Sequence, residues 1–172
     1  MKNKLANVSG GEFFAIPLFL SDRSDLDRFK KADFLGQDKK FVYCRVIDDL
    51  GGGGIFIEIF NLVNGLSPEL EAIIQSGRLF RPIAISGIGI YKKRWVKIGK
   101  QEDYDKENHS QFSKIQLVLQ PMPNESPRLW QNGQERHISF EESNHYESWR
   151  IWSASHLEKR IIETLKEKGI KF

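Results

Sequence analysis

Apolar and polar positions alternate with period two through much of the chain, the pattern of strands buried on one or both faces of a sheet. The run Gly10-Gly11-Glu12-Phe13-Phe14-Ala15-Ile16-Pro17-Leu18 predicts a first strand, with Pro17 at its end or at a sheet edge. Phe41-Val42-Tyr43-Cys44-Arg45-Val46-Ile47 is dense in β-branched and aromatic residues and predicts a central strand. Ile55 to Phe60 predicts its antiparallel return, reached through a tip made of Gly51, Gly52, Gly53 and Gly54. Arg78 to Ser86 and Arg94 to Gly99 predict two neighbouring strands separated by Gly87 and Gly89. In the second of these, Val96 and Ile98 fall on one side and Trp95 and Lys97 on the other. Lys114 to Leu119 predicts a strand closed by Pro121 and Pro123. Arg128 to Gln131 and Gln134 to Ile138 flank Asn132-Gly133, the dipeptide of a tight hairpin turn whose central residues both need positive φ.

The helical period appears twice. Ser67-Pro68-Glu69-Leu70-Glu71 has a capping serine, a proline for the first helical position and acids for the positive end of the dipole, with Gly77 as a stop. Ser155-His156-Leu157-Glu158 has the form of a capping box, after which Leu157, Ile161 and Leu165 line one face and Gly169 ends the helix. Residues 21–40 carry mixed charges, and Ser24 is placed to cap a short helix bearing Leu26 and Phe29, with Gly36 at its end. The expected fold is α+β: a predominantly antiparallel, bent or barrel-like sheet with one short internal helix and a C-terminal helix. A single domain is expected over residues 1–172, with a tail at 1–8, an inserted charged loop at 21–40 and the final helix at 153–169.

Composition narrows this picture without redirecting it. In 172 residues, 40% are hydrophobic and 28% charged, the balance of a chain that buries a core. No run reaches the length of a membrane span and no signal-peptide segment follows Met1, so no membrane partner is expected and the expected location is the cytoplasm. Cys44 is the single cysteine, which excludes an internal disulfide and a cysteine-cluster metal site.

The glycines at 51–54 are followed by a strand and no lysine, contrary to a phosphate-binding loop. The four histidines, His109, His137, His145 and His156, lack metal-ligand spacing, Ser86 lacks the flanking glycines of a nucleophile elbow, and no carboxylates form an acid and base couple. No catalytic residue, metal or cofactor is therefore expected.

The formal charge of +3 is small, but it is unevenly spread. Between Glu71 and Glu102 there is no acid, while Arg78, Arg81, Lys92, Lys93, Arg94, Lys97 and Lys100 all lie there. Cations interleaved with Phe80, Tyr91 and Trp95 would suit single-stranded nucleic acid, with phosphates neutralised and bases stacked. The same residues equally describe a solvated outer face with its aromatic rings packed inside. The candidate partner-binding residues are Arg78, Arg81, Tyr91, Lys92 and Lys93, together with Arg94, Trp95 and Lys97. Trp130 joins them as a possible interface anchor.

Taken in order, the runs Gly11 to Leu18, Tyr43 to Val46, Ile57 to Phe60, Leu79-Phe80-Arg81-Pro82-Ile83 and Arg94 to Gly99 resemble the immunity protein 26 family of bacterial polymorphic toxin systems. The resemblance extends from about residue 9 to about residue 100. It implies a small cytosolic protein that protects a bacterium by binding a cognate protein toxin, with no enzymatic activity. Residues 21–40 exceed the turn expected there and read as a partner-specific insertion. A nucleic-acid-binding β domain using the basic face of residues 78–100 is the alternative.

Overall fold

The structure is a computed structural model that describes residues 6–172. In chain order the strands are β1 (Glu12–Pro17), β2 (Phe41–Asp49), β3 (Ile55–Ile59), β4 (Ile83–Ile85), β5 (Val96–Lys100), β6 (Gln116–Leu119), β7 (Arg128–Gln131), β8 (Gln134–His137), β9 (Glu147–Ser148) and β10 (Ile151–Trp152). The helices are α1 (Leu70–Gln75), α2 (Ile88–Tyr91), α3 (Lys106–Ser110), α4 (Phe140–Ser143) and α5 (Ala154–Glu167). Six strands form one sheet in the order β10-β4-β3-β2-β1-β5, and four form a second in the order β8-β7-β6-β9. All pairings are antiparallel except β10 with β4 and β9 with β6. The fold is α+β as expected, with bent sheets that do not close into a barrel.

The first sheet is covered on both faces, which explains why its strands read as nearly continuous apolar runs. Val42, Cys44 and Val46 of β2 and Ile55, Ile57 and Ile59 of β3 point to one side. There they meet Leu157, Ile161 and Leu165 of α5, all fully buried, each worth about 1.5–3 kcal/mol in transfer from water. Phe13, Phe41 and Tyr43 point to the other side, against Phe29, Phe34 and Ile73. Further along that second face Phe56 meets the other sheet, with Trp130 at 5.6 Å and Trp149 at 5.2 Å in edge-on contact. Residues 147–152 stitch the sheets together, because β9 adds to β6 and β10 adds to β4 with only two residues between them.

Several local expectations shift. Asn132 and Gly133 take φ of 50° and 77°, as the hairpin turn requires. α1 begins at Leu70 with Glu69 at its N-cap, leaving Ser67 and Pro68 outside. The expected helix at Ser24 is replaced by a turn in which the Leu26 N–H donates to Ser24 Oγ at 3.2 Å, local bonding that competes with a helix. A 3-10 turn forms instead at Lys31–Phe34. The N-cap of α5 is Ser153, two residues earlier than the Ser155 box predicts. The reason is long-range: the Ser155 N–H and Oγ each donate to the Asp25 carboxylate at 2.8 Å, and Glu158 is buried. Of the tail expected over residues 1–8, residues 1–5 lie outside the described residues, and Val8 is buried in the core.

The largest difference is topological. β4 and β5, expected as neighbours, stand apart with β3, β2 and β1 between them. The chain from β4 to β5 crosses the face that α5 covers, with Ile88 and Ile90 packed on that cluster. Gly87 at φ 81° starts α2, and Gly89 lies where a Cβ would come within 3.0 Å of Ala154. That close approach is what lets the crossing segment fit beneath α5.

Candidate partner surface

The basic interval does not form one face. Arg78 lies at the edge of a buried polar cluster that the β2/β3 register creates by setting Arg45 opposite Glu58. The Glu58 carboxylate accepts from Arg45 Nη2 at 3.2 Å, Arg78 Nε at 3.1 Å and the Ser110 hydroxyl. Arg45 also donates to Gln101 Oε1 at 2.8 Å and the His109 carbonyl at 2.9 Å, and its guanidinium sits among the rings of Phe13, Phe60 and Tyr104. Tyr104 OH lies 2.6 Å from Ser110 Oγ, and burial pushes its pKa up to about 12. Two guanidiniums and a hydroxyl thus converge on one carboxylate, which offsets the cost of burying its charge, and Arg45, Glu58, Arg78, His109 and Ser110 line a cleft of about 360 Å³. The cluster fastens α3 to the sheet through the Ser110 hydroxyl and the His109 carbonyl.

Arg81 donates to the His145 carbonyl at 2.6 Å, tying β4's approach to the second sheet. Arg94 is fully buried. It donates to Glu158 through Nε at 2.7 Å and Nη2 at 3.0 Å, and to the carbonyls of Leu20, Arg23 and Ser24. Trp95 is buried as well and its Nε1 donates to Glu158 at 3.0 Å. These two residues, expected on the surface, are a clamp that holds residues 20–24, β5 and α5 together. Trp130 is likewise buried, in the aromatic layer between the sheets with Phe56, Phe112 and Trp149. All three side chains are buried and make their contacts inside the protein, and Trp95 also lines a cleft beside β5.

Tyr91, Lys93 and Lys97 are exposed and Lys92 is half-buried. Tyr91 has the Lys92 ammonium 5.8 Å from its ring. Lys93 and Lys97 meet at a cleft of about 700 Å³ beside β5, the edge strand of the first sheet. The opposite wall comes from Phe29, Lys30, Lys31 and Phe34, so the charged segment 21–40 builds half of the site. Trp95, Phe14 and Val96 contribute to its apolar floor. Lys97 pairs with Glu12, the one acid in the lining, at 2.8 Å. Lys30, Lys31 and Lys93 make no ion pair among the described residues. Asp33, close by in sequence, turns its carboxylate onto the Lys30 N–H at 2.6 Å. Lys93 holds φ 59° just after the end of α2, a position where glycine or asparagine is the usual occupant.

Lys30 and Lys31 were not among the sequence candidates. The signal for them was the pair Phe29 and Phe34, two aromatic residues inside a charged segment, which had to be buried against something. Burial pushes the Cys44 thiol well above its ordinary range, which disfavours the nucleophilic thiolate. No group of three or more potential metal ligands is assembled among the described residues, and no helix among them is long and apolar enough to cross a membrane.

No curated protein and no solved structure matches the chain. A family model does: residues 9–123 match the one described as Immunity protein 26. The matched span runs from the turn before β1 through β6, taking in β1 to β5, the polar cluster's side chains and both walls of the lysine-rimmed cleft. It covers well over half of the chain, and the protein therefore belongs to the immunity protein 26 family, with a role in immunity to toxins.

Proposed function

We propose that the protein protects its cell by binding a cognate polymorphic toxin in the cytoplasm and holding it inactive, with no reaction catalysed by the immunity protein itself. The observation that carries this reading is the family match over residues 9–123. The chemistry of the buried groups supports it. Glu58 and Glu158 are each engaged by arginine donors, and the one thiol is enclosed in the core, which suits a polar interior that serves the scaffold. What the scaffold leaves exposed is a set of lysines at an apolar cleft, the anatomy of a recognition surface. The competing reading, single strands of nucleic acid bound on a basic sheet face, lacks that face: β4 and β5 are separated by three strands and Arg94 and Trp95 are inside.

The experiment is co-expression with the toxin encoded beside this gene, followed by titration of the purified toxin. Growth should be restored, and inhibition should saturate at equimolar protein in a complex isolable by gel filtration. Loss of toxicity at strongly substoichiometric protein would show turnover and overturn the binding mechanism. Persistent toxicity with no complex would overturn the function.

A further inference from the structure

The cleft between residues 29–34 and β5 specifies the chemistry of what enters it. Its rim carries Lys30, Lys31, Lys93 and Lys97 against the single carboxylate of Glu12, which Lys97 already pairs. Three lysines thus line one opening without an ion pair among the described residues, and like charges held together raise the local potential for an anion. The floor is apolar, from Phe14, Phe34, Trp95 and Val96. Its rings are seated in the core, with Phe14 at 4%, Phe34 at 3% and Trp95 at 3% exposure. So little exposed ring area suits contact with an apolar side chain better than the stacking of a base, which single-stranded nucleic acid would need. Lysine rim and apolar floor together match a protein segment that combines acids with an apolar anchor.

We infer that this cleft is the docking site for an acidic segment of the toxin, in which Asp or Glu side chains meet Lys30, Lys31 and Lys93 while an apolar residue between them inserts toward Trp95 and Val96. The inference rests on the toxin-binding reading and adds the surface and the chemistry of the partner. Residues 21–40 then act as a recognition wall rather than as a spacer. Their placement is fixed from behind by the Arg94 bonds to the Arg23 and Ser24 carbonyls and by the Asp25 bonds to Ser155, so the wall is preformed and little ordering cost falls on binding.

Two experiments test it. In the first, backbone NMR of the full chain follows addition of a synthetic peptide of Asp and Glu residues around one Trp. Three comparison probes are the same peptide with Ser for Trp, its Lys counterpart, and oligothymidine. The acidic Trp peptide should shift resonances of residues 29–34 and 93–97, the shifts should fade at about 0.5 M salt, and the Ser peptide should bind more weakly. Absence of shifts at low salt, equal binding of the Lys peptide, or tighter binding of oligothymidine in the cleft would each overturn the assignment. In the second, the triple variant Lys30→Glu, Lys31→Glu, Lys93→Glu is compared with Lys114→Glu, Arg136→Glu, Lys168→Glu, which reverses as many exposed charges elsewhere. The cleft variant should bind toxin roughly tenfold more weakly or worse, and the Gln version of the same triple should fall between it and the wild type. Thermal melting confirms that each variant is folded. If the wild type binds toxin and the folded cleft variant binds equally well, the cleft assignment fails and the toxin-binding function stands. If the wild type binds no toxin, the functional reading itself fails and the partner named here fails with it.

Discussion

Glu158 is under two opposing influences. Burial raises its carboxyl above the ordinary range, and the donors from Arg94 and Trp95 pull it back. A raised folded pKa means that its own ionisation weakens the fold as pH rises through that value, so replacing it with a neutral isostere could look harmless. Against this stands Arg94, whose guanidinium pairs with no other carboxylate among the described residues. Removing one member of a buried pair costs about 3–5 kcal/mol, because the survivor is left uncompensated. Glu158→Gln should therefore lower stability by about that amount in urea denaturation at neutral pH, and replacing both Arg94 and Glu158 by methionine should recover much of the loss. A change in Glu158→Gln smaller than about 1 kcal/mol would mean that the clamp is not holding α5. None of this was legible in the sequence, because Arg94 and Glu158 are 64 positions apart and Ser155 to Glu158 satisfies a local capping pattern just as well. Arg45 and Glu58 left a trace, being charges inside apolar strand runs, and such charges have to find each other.

At the scale of elements, alternation was a good guide wherever packing and propensity agree. The predicted strands at Phe41 to Ile47 and Ile55 to Phe60 differ from β2 and β3 by one or two residues at their ends, and the Asn132-Gly133 turn falls where expected. α2, α3 and α4 were illegible because each is four or five residues long, too short for a period to show and stable only through tertiary contacts. The glycine tip between β2 and β3 is more specific than a flexible loop. Gly54 has φ 94° and lies where a Cβ would be 3.1 Å from the Ile85 carbonyl oxygen, whereas Gly52 has nothing within 4 Å. Gly54→Ala should cost about 1–3 kcal/mol through strain and crowding, and Gly52→Ala should be near neutral. Thermal melts of the two variants side by side check this, and equal melting temperatures would show that the tip is freer than its geometry implies.

For the whole molecule, the fold class was visible but the strand order was not. Pairing of β4 with β3 and of β5 with β1 depends on contacts across the sheet that no local window contains. That is why the basic interval, continuous in sequence, is scattered over a polar cluster, a buried clamp and a cleft. The family match ends at residue 123, yet the core of the first sheet is completed by Leu157, Ile161 and Leu165, and the ion-pair partner of Arg94 among the described residues is Glu158. A chain cut after Trp152 should lose its cooperative urea transition although β1 to β10 are intact in sequence, and retention of a sharp transition would show the matched region to be self-sufficient. The position of α5 also sets a clock. Synthesis delivers Arg94 and the open face of the sheet first, and the helix that covers them follows some seventy residues later, on the order of several seconds at ordinary elongation rates. Under the proposed toxin-binding function, protection begins only when that helix has left the ribosome, so a cell making both molecules would depend on a finished stock of this protein before the toxin is released.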